Sequence, residues 1–139
     1  MYYKKEESLQ YVWQRGLFEQ SYLVSSCGKR IEIIEPGVLN SNSGPDFKFA
    51  KIKIDHVLHV GHVELHLKSS DWLRHGHQHD SNYRNVILHV VQENDLLPAG
   101  DWLDSLPCLE LGALLKVDEQ KIRRMMQFQS PKGFHCYSL

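Results

Sequence analysis

The sequence predicts an α/β domain in which a small mixed β-sheet is flanked by helices, and three observations carry that expectation. Residues 62 to 68, HVELHLK, alternate strictly: Val63, Leu65 and Leu67 share one face, and His62, Glu64, His66 and Lys68 share the other. Residues 86 to 91, VILHVV, are apolar apart from His89, the pattern of a strand buried on both faces. Near the two ends of the chain, apolar residues recur instead at helical spacing.

Taken in order, residues 4 to 15 form the first helix: Leu9, Val12 and Trp13 make its apolar stripe, Glu6 and Glu7 favour its first turn, and Gly16 ends it. The stripe lays Trp13 on the sheet. Lys29 to Glu35 is a strand of β-branched isoleucines stopped by Pro36 and Gly37. The next stretch, VLNSNSGP, is rich in Asn, Ser, Gly and Pro, and is expected to be irregular backbone delivering Asp46 to the following strand. Phe47 to Ile54 and Val57 to Leu67 pair through a short turn at Asp55 and His56. The polar, histidine-rich run from Ser69 to Asn85 reads as a loop with a helical turn, long for a plain connection. Pro98, Gly100 and Pro107 prevent residues 94 to 112 from being one element, although 108 to 111 suit a short edge strand. Val117 to Phe128 is a second helix, with Asp118 as N-cap, Val117 and Ile122 as a hydrophobic staple, and Ile122, Met125 and Met126 turned inward. The tail SPKGFHCYSL commits to no element.

A chain of 139 residues is expected to be one domain, 1–139, burying about two thirds of its unfolded surface without help from metal or disulfide. Its 42% apolar and 24% charged residues are those of an ordinary globular chain, and a formal charge of -1 supplies no global field for nucleic acid. Cys27, Cys108 and Cys136 are odd in number and lack metal-type spacing, which fits a reducing compartment. No apolar leader or spanning run is present, so the expected location is the cytoplasm, with no membrane partner. Nine histidines are the unusual count, because eight of them fall between His56 and His89.

Two constellations could carry chemistry. Asp46 and Glu64, on neighbouring strands, would hold a hard cation together with the main-chain carbonyl of Leu65, and Mg²⁺ or Mn²⁺ accepts such oxygen ligands. His66 or Lys68, on the face of Glu64, would then handle the attacking water. The second set is His75, His77 and His79 with Asp80 and His89, either supporting the first site or binding Zn²⁺, the less favoured ion. Asn40 joins that supporting set. Trp13, Trp72 and Tyr83 would be available to stack on bases, and Lys121, Arg123, Arg124 and Lys132 to touch phosphates, though core packing and a solvated helix face explain them as well.

The dipeptide Pro45-Asp46, followed after a strand by Glu64-Leu65-His66, resembles the PD-(D/E)XK nuclease signature. That resemblance implies a restriction-endonuclease-like core, metal-dependent cleavage of DNA or RNA phosphodiesters, and a helix glutamate near the metal, for which Glu7 is the candidate. Histidine stands where the signature has lysine, so His66 replaces it, Lys68 substitutes for it, or the site is inactive and the fold serves as a non-catalytic binding module for nucleic acid or protein. A histidine-bound Zn²⁺ hydrolase is the further alternative. PGVLNSNSGPDF, VGHVELH, SSDW, HGH, Asp80, Tyr83 and VILHVVQEND together resemble a bacterial domain family of unknown function. Its members are longer, which implies that this chain is an N-terminal portion or a short version of them.

Overall fold

The computed structural model describes residues 1–96 and 106–128. Pro98 and Gly100, and the tail with Lys132 and Cys136, lie outside the described residues. Helix α1 (Glu6–Arg15) leads into strands β1 (Leu23–Val24), β2 (Arg30–Glu35), β3 (Val38–Leu39), β4 (Phe47–Ile54) and β5 (Val57–Lys68). A short helix α2 (Asp71–Arg74) and two 3-10 turns (His77–His79 and Ser81–Tyr83) precede β6 (Val86–Glu93), β7 (Cys108–Glu110), a 3-10 turn (Gly112–Leu114) and α3 (Glu119–Phe128).

The sheet runs β1-β2-β4-β5-β6-β7, with β3 also on β4. Strands β1 to β5 pair antiparallel, whereas β5–β6 and β6–β7 are parallel. The mixed sheet is thus as expected, but it curls instead of lying flat. The Ser26 N–H donates to the Cys108 carbonyl at 2.8 Å, tying the chain just after β1 to β7, and Phe18 bridges to Leu115 nearby. Twist accumulated over these strands brings the sheet's two ends together in a nearly closed, barrel-like shape.

Both helices behave as their periodicity predicts. Trp13 is 1% exposed, stacks on Phe18 and donates its indole N–H to the Pro36 carbonyl at the end of β2. Asp118 caps α3 by accepting the Lys121 N–H, and Ile122 is fully buried. The stretch read as wholly irregular contains β3, whose two residues are too few to show a period. The crossover from β5 to β6, through residues 69 to 85, is the segment that builds the site, because a parallel pair must be joined by chain passing over one face of the sheet.

Gly61 marks where β5 begins to run beside β6. A Cβ there would stand 2.4 Å from Ile87 Cγ2 and 2.7 Å from the Asn85 carbonyl oxygen. The backbone atom cannot swing away, so Gly61→Ala is expected to cost about 1–3 kcal/mol, as overpacking does, read as a lowered denaturation midpoint with unchanged slope.

Candidate metal centre

Residues 63 to 66 of β5 are buried on both faces. Val63 and Leu65 belong to the apolar core with α1, and on the reverse face Glu64 is 4% and His66 1% exposed. The crossover covers that reverse face. Its helix α2 buries Trp72, and Gly76, in the left-handed region at φ 68°, bends the chain between two histidines. His75 and His77 therefore both return to His66, with ring centroids 5.1 and 5.2 Å from it. Tyr83 stacks on His77 at 3.9 Å and holds that ring from outside. From β6, the pairing of Glu64 with His89 sets the His89 ring beside His66, its Nε2 2.8 Å from His66 Nδ1.

Glu64 is the hub. Its Oε1 accepts the Asp46 N–H at 3.0 Å, while Oε2 faces His66 Nε2 at 3.3 Å and His77 Nε2 at 3.0 Å. Neither of those nitrogens makes an aligned hydrogen bond, although both are buried. His66, His75 and His77 each bring a ligand-type atom to within 4.8 Å of the others. Such spacing matches atoms arranged round one cation, and a set of imidazoles and a carboxylate is the donor set of Zn²⁺, Mn²⁺ and related ions. Among the described residues no hydrogen-bond partner meets either His66 Nε2 or His77 Nε2, and the donor set fits a metal.

Beside this cluster lies a row of carboxyls. Asp46 Oδ2 accepts the Leu65 N–H at 2.8 Å and Oδ1 accepts from Gln10 Nε2 at 3.0 Å, so Asp46 takes the place of a strand partner for Leu65. Burial, then the Asp46 charge, pushes the Glu64 carboxyl up to about 9. Burial also raises Asp46, against the pull of the Leu65 N–H. Glu6, half-buried on α1, rises to about 7 through burial and the charges of Asp46 and Asp71. Burial holds His66 down to about 2 and His89 to about 3, with the neighbouring histidines adding to both. His77 is lowered by the same causes. Without an ion, His66, His77 and His89 are therefore neutral and Glu64 is protonated.

Asp46 and Glu64 meet, eighteen positions apart in sequence, because β4 and β5 are paired. Other candidates lie elsewhere. Lys68 is exposed at the strand end. His62 uses Nδ1 to accept the Phe49 N–H at a bulge in β4. Glu7 turns away from the site to Arg123, 3.3 Å away, and Glu6 is the helix carboxyl that faces Asp46. The reason is helical phase: position 6 shares the stripe of Leu9 and Gln10, whereas position 7 does not. Asn40 spends its side chain on the Ser43 and Pro45 carbonyls and the Asn42 N–H, fixing the loop that carries Asp46. Asp80 caps a 3-10 turn by accepting the Asn82 N–H. Trp13 and Trp72 are buried and have no face for a base. Glu6 and Gln10, spaced i, i+4 on one helix face, are the site residues that the sequence reading passed over.

A family model described as "Protein of unknown function (DUF2851)" matches residues 6–139. The chain belongs to that family. The DUF2851 match contains Glu6 and every histidine and carboxyl of the cluster. Comparison with curated proteins and with solved structures gave no match. Among the described residues of this DUF2851 chain, no helix is long and apolar enough to cross a membrane.

Proposed function

We propose that this protein is a metal-dependent hydrolase whose ion is held by Glu64, His66, His75 and His77. The observation that carries the reading is the convergence of two buried imidazole Nε2 atoms on Glu64 Oε2, at 3.3 and 3.0 Å, without an aligned hydrogen bond. Donors of this kind favour Zn²⁺ or Mn²⁺ over Mg²⁺, which prefers an all-oxygen shell. A bound ion would supply Lewis acidity and a water of lowered pKa. The protein's own part is to exclude bulk water beneath Trp72 and Tyr83, and to keep the carboxyls of Asp46 and Glu6 at hand to take up and release a proton. His75, on the exposed side of the cluster, marks where a substrate would enter.

A second reading narrows the substrate to a phosphodiester of DNA or RNA, with Asp46 and Glu64 in the PD-(D/E)XK roles and His66 in place of the lysine. The contact between the Asp46 and Glu64 segments favours it. Elemental analysis of the purified protein, followed by assays with bis(p-nitrophenyl) phosphate, single- and double-stranded nucleic acid, and a p-nitrophenyl ester, separates the readings. One equivalent of Zn²⁺ or Mn²⁺ with turnover that Glu64→Gln abolishes is the expected result. Cleavage confined to the phosphodiesters supports the second reading, and a protein that takes up no metal overturns both.

A further inference from the structure

The contact between His66 and His89 fixes something that the ligand set alone leaves open, namely which nitrogen of His66 is free. Their ring nitrogens, His66 Nδ1 and His89 Nε2, lie 2.8 Å apart in a fully buried place, so one proton stands between them. It belongs to one ring or the other. If His89 donates, neutral His66 carries its own proton on Nε2, where no aligned acceptor exists, and His89 Nδ1 is left as a buried lone pair without a donor. Two buried groups then go unsatisfied, each costing roughly 1–3 kcal/mol. If His66 donates, its Nε2 presents a lone pair toward Glu64 Oε2 and His77 Nε2, the place where a cation would satisfy all three. Without an ion this arrangement too leaves two buried nitrogens unpaired, His66 Nε2 and the His89 Nδ1–H; with an ion at that place only the His89 Nδ1–H remains, in a pocket that it shares with the Trp72 ring, centroids 5.0 Å apart.

We propose that His89 is a positioning residue: by accepting the Nδ1–H of His66 it selects the tautomer whose Nε2 faces the metal. The proposal rests on the metal reading above and gives it a mechanism of assembly. A metal-ligating histidine is ordinarily oriented by a carboxylate or a backbone carbonyl. Here the acceptor is a second neutral imidazole, a weaker acceptor than a carboxylate, so His66 donates less charge to the ion and leaves it more electrophilic.

The test compares the Zn²⁺-loaded with the metal-free protein. Long-range ¹H–¹⁵N correlation spectra read which nitrogen of His66 carries the proton. With Zn²⁺ bound, Nδ1–H is expected in the wild type and in His89→Gln, whose amide oxygen can accept, whereas metal-free His89→Phe, with no acceptor there, is expected to carry Nε2–H. Zn²⁺ affinity, measured by competition with a chromogenic chelator, should fall about 10- to 100-fold in His89→Phe and be largely retained in His89→Gln. A purely space-filling role would spare Phe instead of Gln. Wild-type His66 protonated at Nε2 overturns the proposal, and that spectrum decides the matter even if His89→Phe does not fold. Should wild-type protein bind no Zn²⁺ while showing the Nδ1–H tautomer, the metal reading fails and the positioning contact stands.

Discussion

His66→Ala is expected to abolish binding of Zn²⁺ or Mn²⁺, by far more than the 10- to 100-fold that loss of a supporting partner costs. His66 is the most deeply buried of the three clustered histidines, and it touches both of the others and Glu64. Its removal takes away the ligand that joins the sheet to the crossover. His75→Ala, at the exposed side, should weaken binding less. Isothermal titration of the three variants His66→Ala, His75→Ala and His77→Ala gives the order directly. An unchanged constant for His66→Ala would mean that the ion, if any, sits elsewhere.

Metal should also change the stability of the protein and the pH at which that stability peaks. At a free ion concentration 100 times the dissociation constant, binding adds about 2.7 kcal/mol. For a domain of this size that corresponds to a rise in Tm of roughly 8–12 °C, reversed by chelator. In the metal-free protein, the pKa of Glu64 is raised from 4.5 to about 9, so the folded state binds the extra proton and stability falls as pH climbs through that window. The histidines work in the opposite sense. His66 and His89 are held from 6.5 down to about 2 and 3, so the unfolded chain takes up protons first and stability falls as pH drops below about 6.5. Metal-free stability should therefore be greatest near pH 6–6.5. Glu64→Gln should remove the loss on the alkaline side, and saturation with metal should do the same, because the bound carboxylate has already released its proton. Thermal melts at several pH values, with and without chelator, check each point.

Much of this arrangement was legible in the chain. Strict alternation placed Glu64 and His66 on one face, and strand pairing was enough to bring Asp46 to Glu64. Burial of that face was not legible, since alternation alone does not say whether a polar row meets water or another layer. The covering layer is the crossover, and its return to Glu64 depends on a parallel β5–β6 register that local periodicity does not encode. His89 was hidden for the same reason: VILHVV marks a buried strand, but only the pairing of Glu64 with His89 shows which face its imidazole takes. The choice between Glu6 and Glu7 was available from helical phase, because Leu9, Val12 and Trp13 already defined the buried stripe. Closure of the sheet depends on accumulated twist and on the Ser26–Cys108 contact, neither of which leaves a mark in a hydropathy pattern.

The way the sheet ends has a consequence for how the protein behaves in concentrated solution. Where β5 runs ahead of β6, residues 57 to 60 (VLHV) pair, among the described residues, with β4 on one side only, and Val57, Leu58 and Val60 are more than half exposed. Residues 32 to 35 of β2 extend beyond β1 in a similar way, but carry Glu32 and Glu35. An open edge studded with charge discourages a neighbouring strand, whereas an apolar one without lysine or proline invites it. Self-association at high concentration should therefore begin at the tip of the β4–β5 hairpin, and one lysine in place of Leu58 would blunt it without touching the buried end of the same strand where the histidines gather.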